Sequence, residues 1–271
     1  MNDSIWGNII RPVLSGRNVK PRTCGITMVL DKGLGLRATS DLMDTAGAYI
    51  DIVKFTFGTS ALYDAKYLEK KMELLRACGI EVMPGGTLTE IAIYEGVYRD
   101  YLRKAKQSGF THIEISDGTI QMSRAARRSY IALAAEAGFH VSTEVGTKDL
   151  SNPKAVGEMN RDLRQDLADG ASFVVIEAKE AGRNSTIYDE NGLVKEEAVA
   201  RLLDGVTEPE HILWEAPLRD QQDYLIDRFG PNVNIGNCPP EGVLSLETLR
   251  YGLGDTPFRK AWQRKGAESH V

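Results

Sequence analysis

Short apolar runs recur along the chain. Each ends in charged, polar or glycine residues, and each is followed by a stretch of helical periodicity. The runs are GITMVLDKG from Gly25, IDIVKFTFGTS from Ile50, IEVMPGG from Ile80, HIEISDG from His112, HVSTEVGTK from His140, FVVIEAKE from Phe173, HILWEAP from His211 and NVNIGNC from Asn232. Segments such as FVVI and ILW are apolar throughout, as in parallel strands buried on both faces. Between the runs, DAKYLEKKMELLRACG places Leu68, Met72 and Leu75 at helical spacing and stops at Gly79. Thr39 or Ser40 is a candidate cap for the first helix. Thr87 to Glu90 has capping-box spacing and predicts a third helix running to Gly109. Asn152-Pro153 reads as N-cap and N1 of the fifth.

Eight β-run and helix units predict an α/β chain of one domain, a (β/α)8 TIM barrel, which routinely uses about 250 residues. A doubly wound open sheet has a similar local pattern. It would usually carry a G-x-G-x-x-G turn after its first strand, and none follows this one. The expected boundaries are an N-terminal extension over 1–22 that covers the barrel floor with a short helix, a barrel over 23–260 and a polar tail over 261–271.

Composition narrows the function classes. The formal net charge is −5 and no Lys/Arg-rich run stands out, which points away from nucleic acid. No apolar stretch approaches the roughly 20 residues of a membrane span, and the N-terminus is too polar for a secretory core. Cys24, Cys78 and Cys238 are sparse and widely spaced, as in a reduced cytoplasmic protein, and form no zinc spacing. His112, His140 and His211 open strands, on the face opposite a barrel's active site. That placement argues against a Ser-His-Asp hydrolase and against His-ligated zinc or iron at the chemistry.

The C-terminal strand ends carry the candidate chemistry. Glu144, Glu177 and Glu215 close the fifth, sixth and seventh runs, and Asp31 closes the first. A carboxylate behind several buried apolar residues must be paired or bound to a metal. Convergent carboxylates with water suit a hard cation such as Mg²⁺. The alternative is a network in which Lys54, Lys148 and Lys179 pair with the glutamates. Lys32, Lys54 and Lys148 can hold an anion, donate a proton or form a Schiff base, and the residues alone do not choose. Gly85-Gly86 permits close backbone approach to a ligand, and Gly236 and Asn237 stand where barrels often bind phosphate.

Taken in order from about residue 25 to residue 256, these segments resemble the phosphosulfolactate synthase family, the coenzyme M biosynthesis enzyme with bacterial and heat-stress-associated plant relatives. The resemblance rests on Leu30-Asp-Lys-Gly-Leu34, Val53-Lys-Phe55, Pro84-Gly-Gly-Thr-Leu88, Glu114-Ile-Ser-Asp-Gly118, Thr143-Glu-Val-Gly146 with Lys148, Ile176-Glu177, Glu215-Ala-Pro217 with Gln221-Gln222, Asn232-Val-Asn234 with Asn237, and Ser245 to Arg250. It implies Mg²⁺-dependent addition of sulfite to phosphoenolpyruvate through an enediolate, giving (2R)-2-phospho-3-sulfolactate. By the same resemblance Lys148 is the general acid, helped by the positive field of the metal, while Lys32 and Lys54 neutralise the negative charges that the substrates bring together. Glu144, Glu177, Glu215 and Asp31 hold metal. Gly85, Gly86, Ser116, Asp117, Lys179, Arg183, Gly236 and Asn237 meet small anionic substrates.

The chain departs from the family pattern at several cations. Thr56-Phe57 stands where the family has Gly-Trp, Lys179 replaces an arginine that Arg183 could compensate, and a late arginine is missing from Gly252 to Thr256. These changes leave open a related Mg²⁺-dependent barrel lyase or synthase with another nucleophile or carboxylate, or a non-catalytic stress-related barrel. A homo-oligomer is expected, as barrels of this kind often associate.

Overall fold

A computed structural model describes residues 5–7, 9–146 and 156–268, the last five without their side chains. Eight strands line the barrel: β1 (Thr27–Asp31), β2 (Ile52–Phe55), β3 (Glu81–Met83), β4 (His112–Ile115), β5 (His140–Val145), β6 (Phe173–Ile176), β7 (Ile212–Glu215) and β8 (Asn234–Cys238). All paired neighbours are parallel, in the order β3-β2-β1-β8-β7-β6-β5-β4. The sheet thus curls into the expected (β/α)8 barrel, with its seam between β3 and β4. Across that seam Thr111 N–H donates to Val82 O at 3.0 Å, and Val82 N–H donates to Thr111 Oγ1 at 2.9 Å.

Among the described residues ten helices follow the strands: α1 (Leu36–Ala46), α2 (Ala65–Ala77), α3 (Gly86–Tyr94), α4 (Tyr98–Gln107), α5 (Arg124–Glu136), α6 (Val156–Ala168), α7 (Glu196–Leu202), α8 (Arg219–Phe229), α9 (Val243–Arg250) and α10 (Asp255–Glu268). Strand alternation separates two cores. Outward residues such as Val29, Val53, Ile113, Val174 and Trp214 pack under the helices, while Ile26, Met28, Ile52, Met83, Val175 and Leu213 fill the interior.

Several local expectations change. The first helix begins at Leu36, and Thr39 bonds back to Gly35 O from inside it. The single third helix is two, broken at Gly96, whose φ of 71° a helix interior excludes. The Thr87 capping box does not form: α3 starts at Gly86, and Glu90 instead accepts from the N–H groups of Thr119 and Ile120. The described part of the 1–22 extension is turns and bends, not a helix; Pro12, Pro21 and Gly16 oppose one. It is tied down instead by Arg17 to Glu247 and Arg22 to Asp51. Helix α10 crosses the boundary expected at 260. Asn152-Pro153 lies outside the described residues. No helix among the described residues is long and apolar enough to cross a membrane.

Gly236 shows how full the interior is. A Cβ there would lie 2.2 Å from Leu213 Cδ2 and 2.9 Å from Met28 Cε. Gly236→Ala is therefore expected to destabilise by about 1–3 kcal/mol through overpacking, read as a lowered midpoint in denaturant. An unchanged midpoint would show that the interior yields freely. Gly236, expected at the substrate, is thus committed to packing below the mouth.

Candidate active site

The phase of each strand decides which terminal groups reach the interior. On β1, Met28 and Leu30 point inward and Asp31 outward. The inward phase on the other strands carries Ile52 and Lys54, Met83, Glu114, Glu144, Val175 then Glu177, and Leu213 then Glu215. Lys54 and these four glutamates line a cavity of about 240 Å³ at the C-terminal mouth, together with Gly85, Gly86, Lys179 and Asn237.

Lys54 is the centre of the charge cluster. Its Nζ lies 2.8 Å from Glu114, 3.5 Å from Glu144 and 3.7 Å from Glu215, and all four side chains are buried. Burial alone would depress this ammonium, but the three carboxylates outweigh it and hold the group well above the ordinary lysine value. Burial pushes the Glu215 carboxyl the other way, up to about 7, aided by Glu144 and Glu114 and opposed by Lys54 and the Ala178 N–H. The network alternative is therefore realised through Lys54. Lys179 instead turns its Nζ to Asn184 O at 2.6 Å.

Each carboxylate accepts a hydrogen bond that helps to fix it. Glu114 accepts from Gly86 N–H at 2.8 Å, Glu144 from Ser116 Oγ at 2.9 Å, Glu177 from Lys179 N–H at 2.7 Å and Glu215 from Ala178 N–H at 3.0 Å. Glu144, Glu177 and Glu215 offer ligand oxygens that all lie within 4.8 Å of one another. The glycine pair makes room for this packing. A Cβ on Gly86 would fall 2.6 Å from Glu114 Oε1, and one on Gly85, at φ 83°, 2.8 Å from Phe55 O. Asn237, at φ 52°, is buried at the mouth, and its Oδ1 lacks a hydrogen-bond partner among the described residues.

Other expected site residues are not brought to this cluster. Asp31, expected at the metal, points outward, pairs with Lys71 Nζ at 2.5 Å and accepts from the N–H groups of Gly33 and Leu34. Asp117, expected at the substrate, is likewise out of phase and pairs with Arg127 at 3.3 Å. Ser116 is buried as the hydrogen-bond donor to Glu144. Lys32 sits exposed on the rim in an ion pair with Glu180, and Arg183 is exposed on the loop after β6. Lys148 lies outside the described residues.

Three supports had no role assigned from sequence, although Glu114 and Gln221 stand in the segments that carry the resemblance. Glu114 sits inside β4, in phase with His112, two residues before the strand-end positions that drew attention. Gln221 Nε2 donates to Gly182 O and Gly192 O, pinning the loop after β6. Arg127 donates to the backbone carbonyl of Glu144 at 2.9 Å while Asp166 holds its guanidinium at 2.7 Å. Burial would raise the Asp166 carboxyl, but Arg127 and Arg124 win and hold it below its ordinary 3.8. Its contribution is thus full above that value and is lost as pH falls below it. Asp166→Asn takes from buried Arg127 its nearest charge partner and leaves it Asp117 at 3.3 Å. It is expected to cost about 3–5 kcal/mol near neutrality and to flatten the acid side of the stability curve. Parallel acid limbs in urea titrations of the two proteins would contradict this.

The comparisons agree with one another. The family model described as (2R)-phospho-3-sulfolactate synthase (ComA) matches residues 15–255. Phosphosulfolactate synthase of Methanothermobacter thermautotrophicus is 42% identical over 243 residues, covering 89% of this chain and 94% of that protein. That of Bacillus subtilis is 34% identical over 244 residues, covering 89% and 95%. Protein HEAT-STRESS-ASSOCIATED 32 of Arabidopsis thaliana is 22% identical over 257 residues, covering 86% and 88%.

Proposed function

The chain belongs to the (2R)-phospho-3-sulfolactate synthase family, and from that premise we propose that it adds sulfite to phosphoenolpyruvate with Mg²⁺ as its resident cation. The observation that carries this reading is the meeting of Glu144, Glu177 and Glu215 at the barrel mouth. Oxygen donors of this kind suit a hard divalent ion. Two features of the cavity favour such an ion there. Four glutamates converge on this one cavity, and the buried Asn237 carbonyl adds a further oxygen acceptor to its wall.

When bound, the cation supplies Lewis-acid stabilisation of the negative charge that builds on the substrate carboxylate. The chain's own residues do the rest. The sulfite lone pair forms the C–S bond at C3, the C2–C3 π electrons move toward the carboxylate, and a proton then reaches C2. Lys148 is the donor by family resemblance. Lys54 is a poor donor, because its neighbours hold it protonated; it serves as a fixed charge that orients three glutamates. Lys32 and Lys179 lend positive field at the rim.

The test is the sulfite-dependent loss of the enol's ultraviolet absorbance, with and without chelator. Loss that needs both sulfite and Mg²⁺ supports the reading; no loss with folded protein contradicts it. Glu177→Gln is expected to raise the Mg²⁺ concentration for half-maximal activity by at least roughly tenfold. An unchanged requirement would reduce Glu177 to a partner of the Lys179 N–H.

A second reading has one observation in its favour. Lys179, standing where the family has an arginine, spends its ammonium on Asn184 O of its own loop. A lysine also lacks the two-pronged fork that grips phosphate or sulfonate. Another nucleophile or small carboxylate is then the substrate, and the same assay with sulfite replaced distinguishes the two.

A further inference from the structure

The barrel floor holds a second convergence of ligand atoms, far from the mouth. Glu81 opens β3, His112 opens β4 and His140 opens β5, so three adjacent strands present one side chain each at the same level. The Nδ1 of His112 lies 2.9 Å and the Nδ1 of His140 3.2 Å from the same oxygen, Glu81 Oε2. The ligand atoms of all three lie within 4.8 Å of one another. Donors bound to one tetrahedral zinc at about 2.0–2.1 Å stand about 3.3 Å apart, close to the spacings found here.

We propose that Glu81, His112 and His140 form a divalent transition-metal site, with Zn²⁺ the natural occupant, on the floor of the barrel. Imidazole nitrogen with one carboxylate suits that ion and not Mg²⁺. His112 is fully buried, which fixes one ligand, while His140 and Glu81 are partly exposed to a floor concavity of about 590 Å³. A fourth position can therefore open to water. Sequence spacing gave no hint of the site, because its ligands come from three separate strands.

The location gives the site a purpose. Glu81 and His112 face each other across the β3–β4 seam, where the ladder is interrupted. An ion shared by β3, β4 and β5 staples that seam.

The experiment uses the full chain, stripped with chelator and returned to excess Mg²⁺, and titrates it with Co²⁺ followed by its visible absorption, then competes with Zn²⁺. Wild type and Glu177→Gln are expected to bind one equivalent with tetrahedral bands and to melt at higher temperature when loaded. His140→Ala, at an exposed position, is expected to stay folded and to keep its basal turnover. It is expected to lose at least the roughly ten- to hundredfold affinity that even a supporting group is worth. Undiminished uptake by His140→Ala, uptake lost in Glu177→Gln instead, or no uptake by wild type would each overturn the proposal.

Discussion

Lys54→Met is expected to destabilise the metal-free protein by about 3–5 kcal/mol at pH 8 and to remove activity. Lys54 is buried and is the ammonium shared by Glu114, Glu144 and Glu215. Breaking a buried ion pair from one side strands buried charge, and Lys54 serves three carboxylates at once. Without Lys54 the Glu215 carboxyl, which burial already pushes up to about 7, loses the cation that opposes that rise. A group whose folded pKa is raised in this way costs stability as pH climbs past its unfolded value. The loss should therefore be small near pH 4 and grow toward pH 8, and added Mg²⁺ should recover part of it. Urea unfolding at both pH values with chelator present reads this directly. An equal loss at the two would show that methionine merely packs badly.

Lys148→Ala is expected to lower turnover by about 10²–10⁴-fold, the usual contribution of a positioned general acid. Folding and Mg²⁺ binding should stay close to wild type, because Glu144, Glu177 and Glu215 have anchors of their own in Ser116, Lys179 N–H and Ala178 N–H. The defect should fall on kcat more than on KM for phosphoenolpyruvate. A Lys148→Ala protein of full activity would remove the acid assignment, while a rise in KM alone would make Lys148 an anion contact.

The barrel was legible because its strands are uniformly apolar and end in abrupt polar clusters. Glu177 and Glu215 were legible for a similar reason, standing in Ile-Glu-Ala and Trp-Glu-Ala frames that force a buried carboxylate. Counting back from strand ends misled elsewhere. Asp31 and Asp117 stand beside those ends but on the outward phase, where Lys71 and Arg127 take them up. Glu114 lies deeper in its strand on the inward phase, and its alternation with His112 was the available signal. Gly236 looked like a phosphate loop because sequence reports a glycine's freedom and not the Leu213 methyl that fills its space. The floor cluster and the Gln221 clamp depend on which strands and loops become neighbours, which is written in the closure of the sheet and not in local spacing.

Phosphorus NMR of the purified protein with phosphoenolpyruvate, sulfite and Mg²⁺, beside an EDTA control, follows the addition itself. A new phosphoester resonance that requires both sulfite and metal is expected. Phosphoenolpyruvate left unchanged by folded, Mg²⁺-loaded protein would contradict the proposed function.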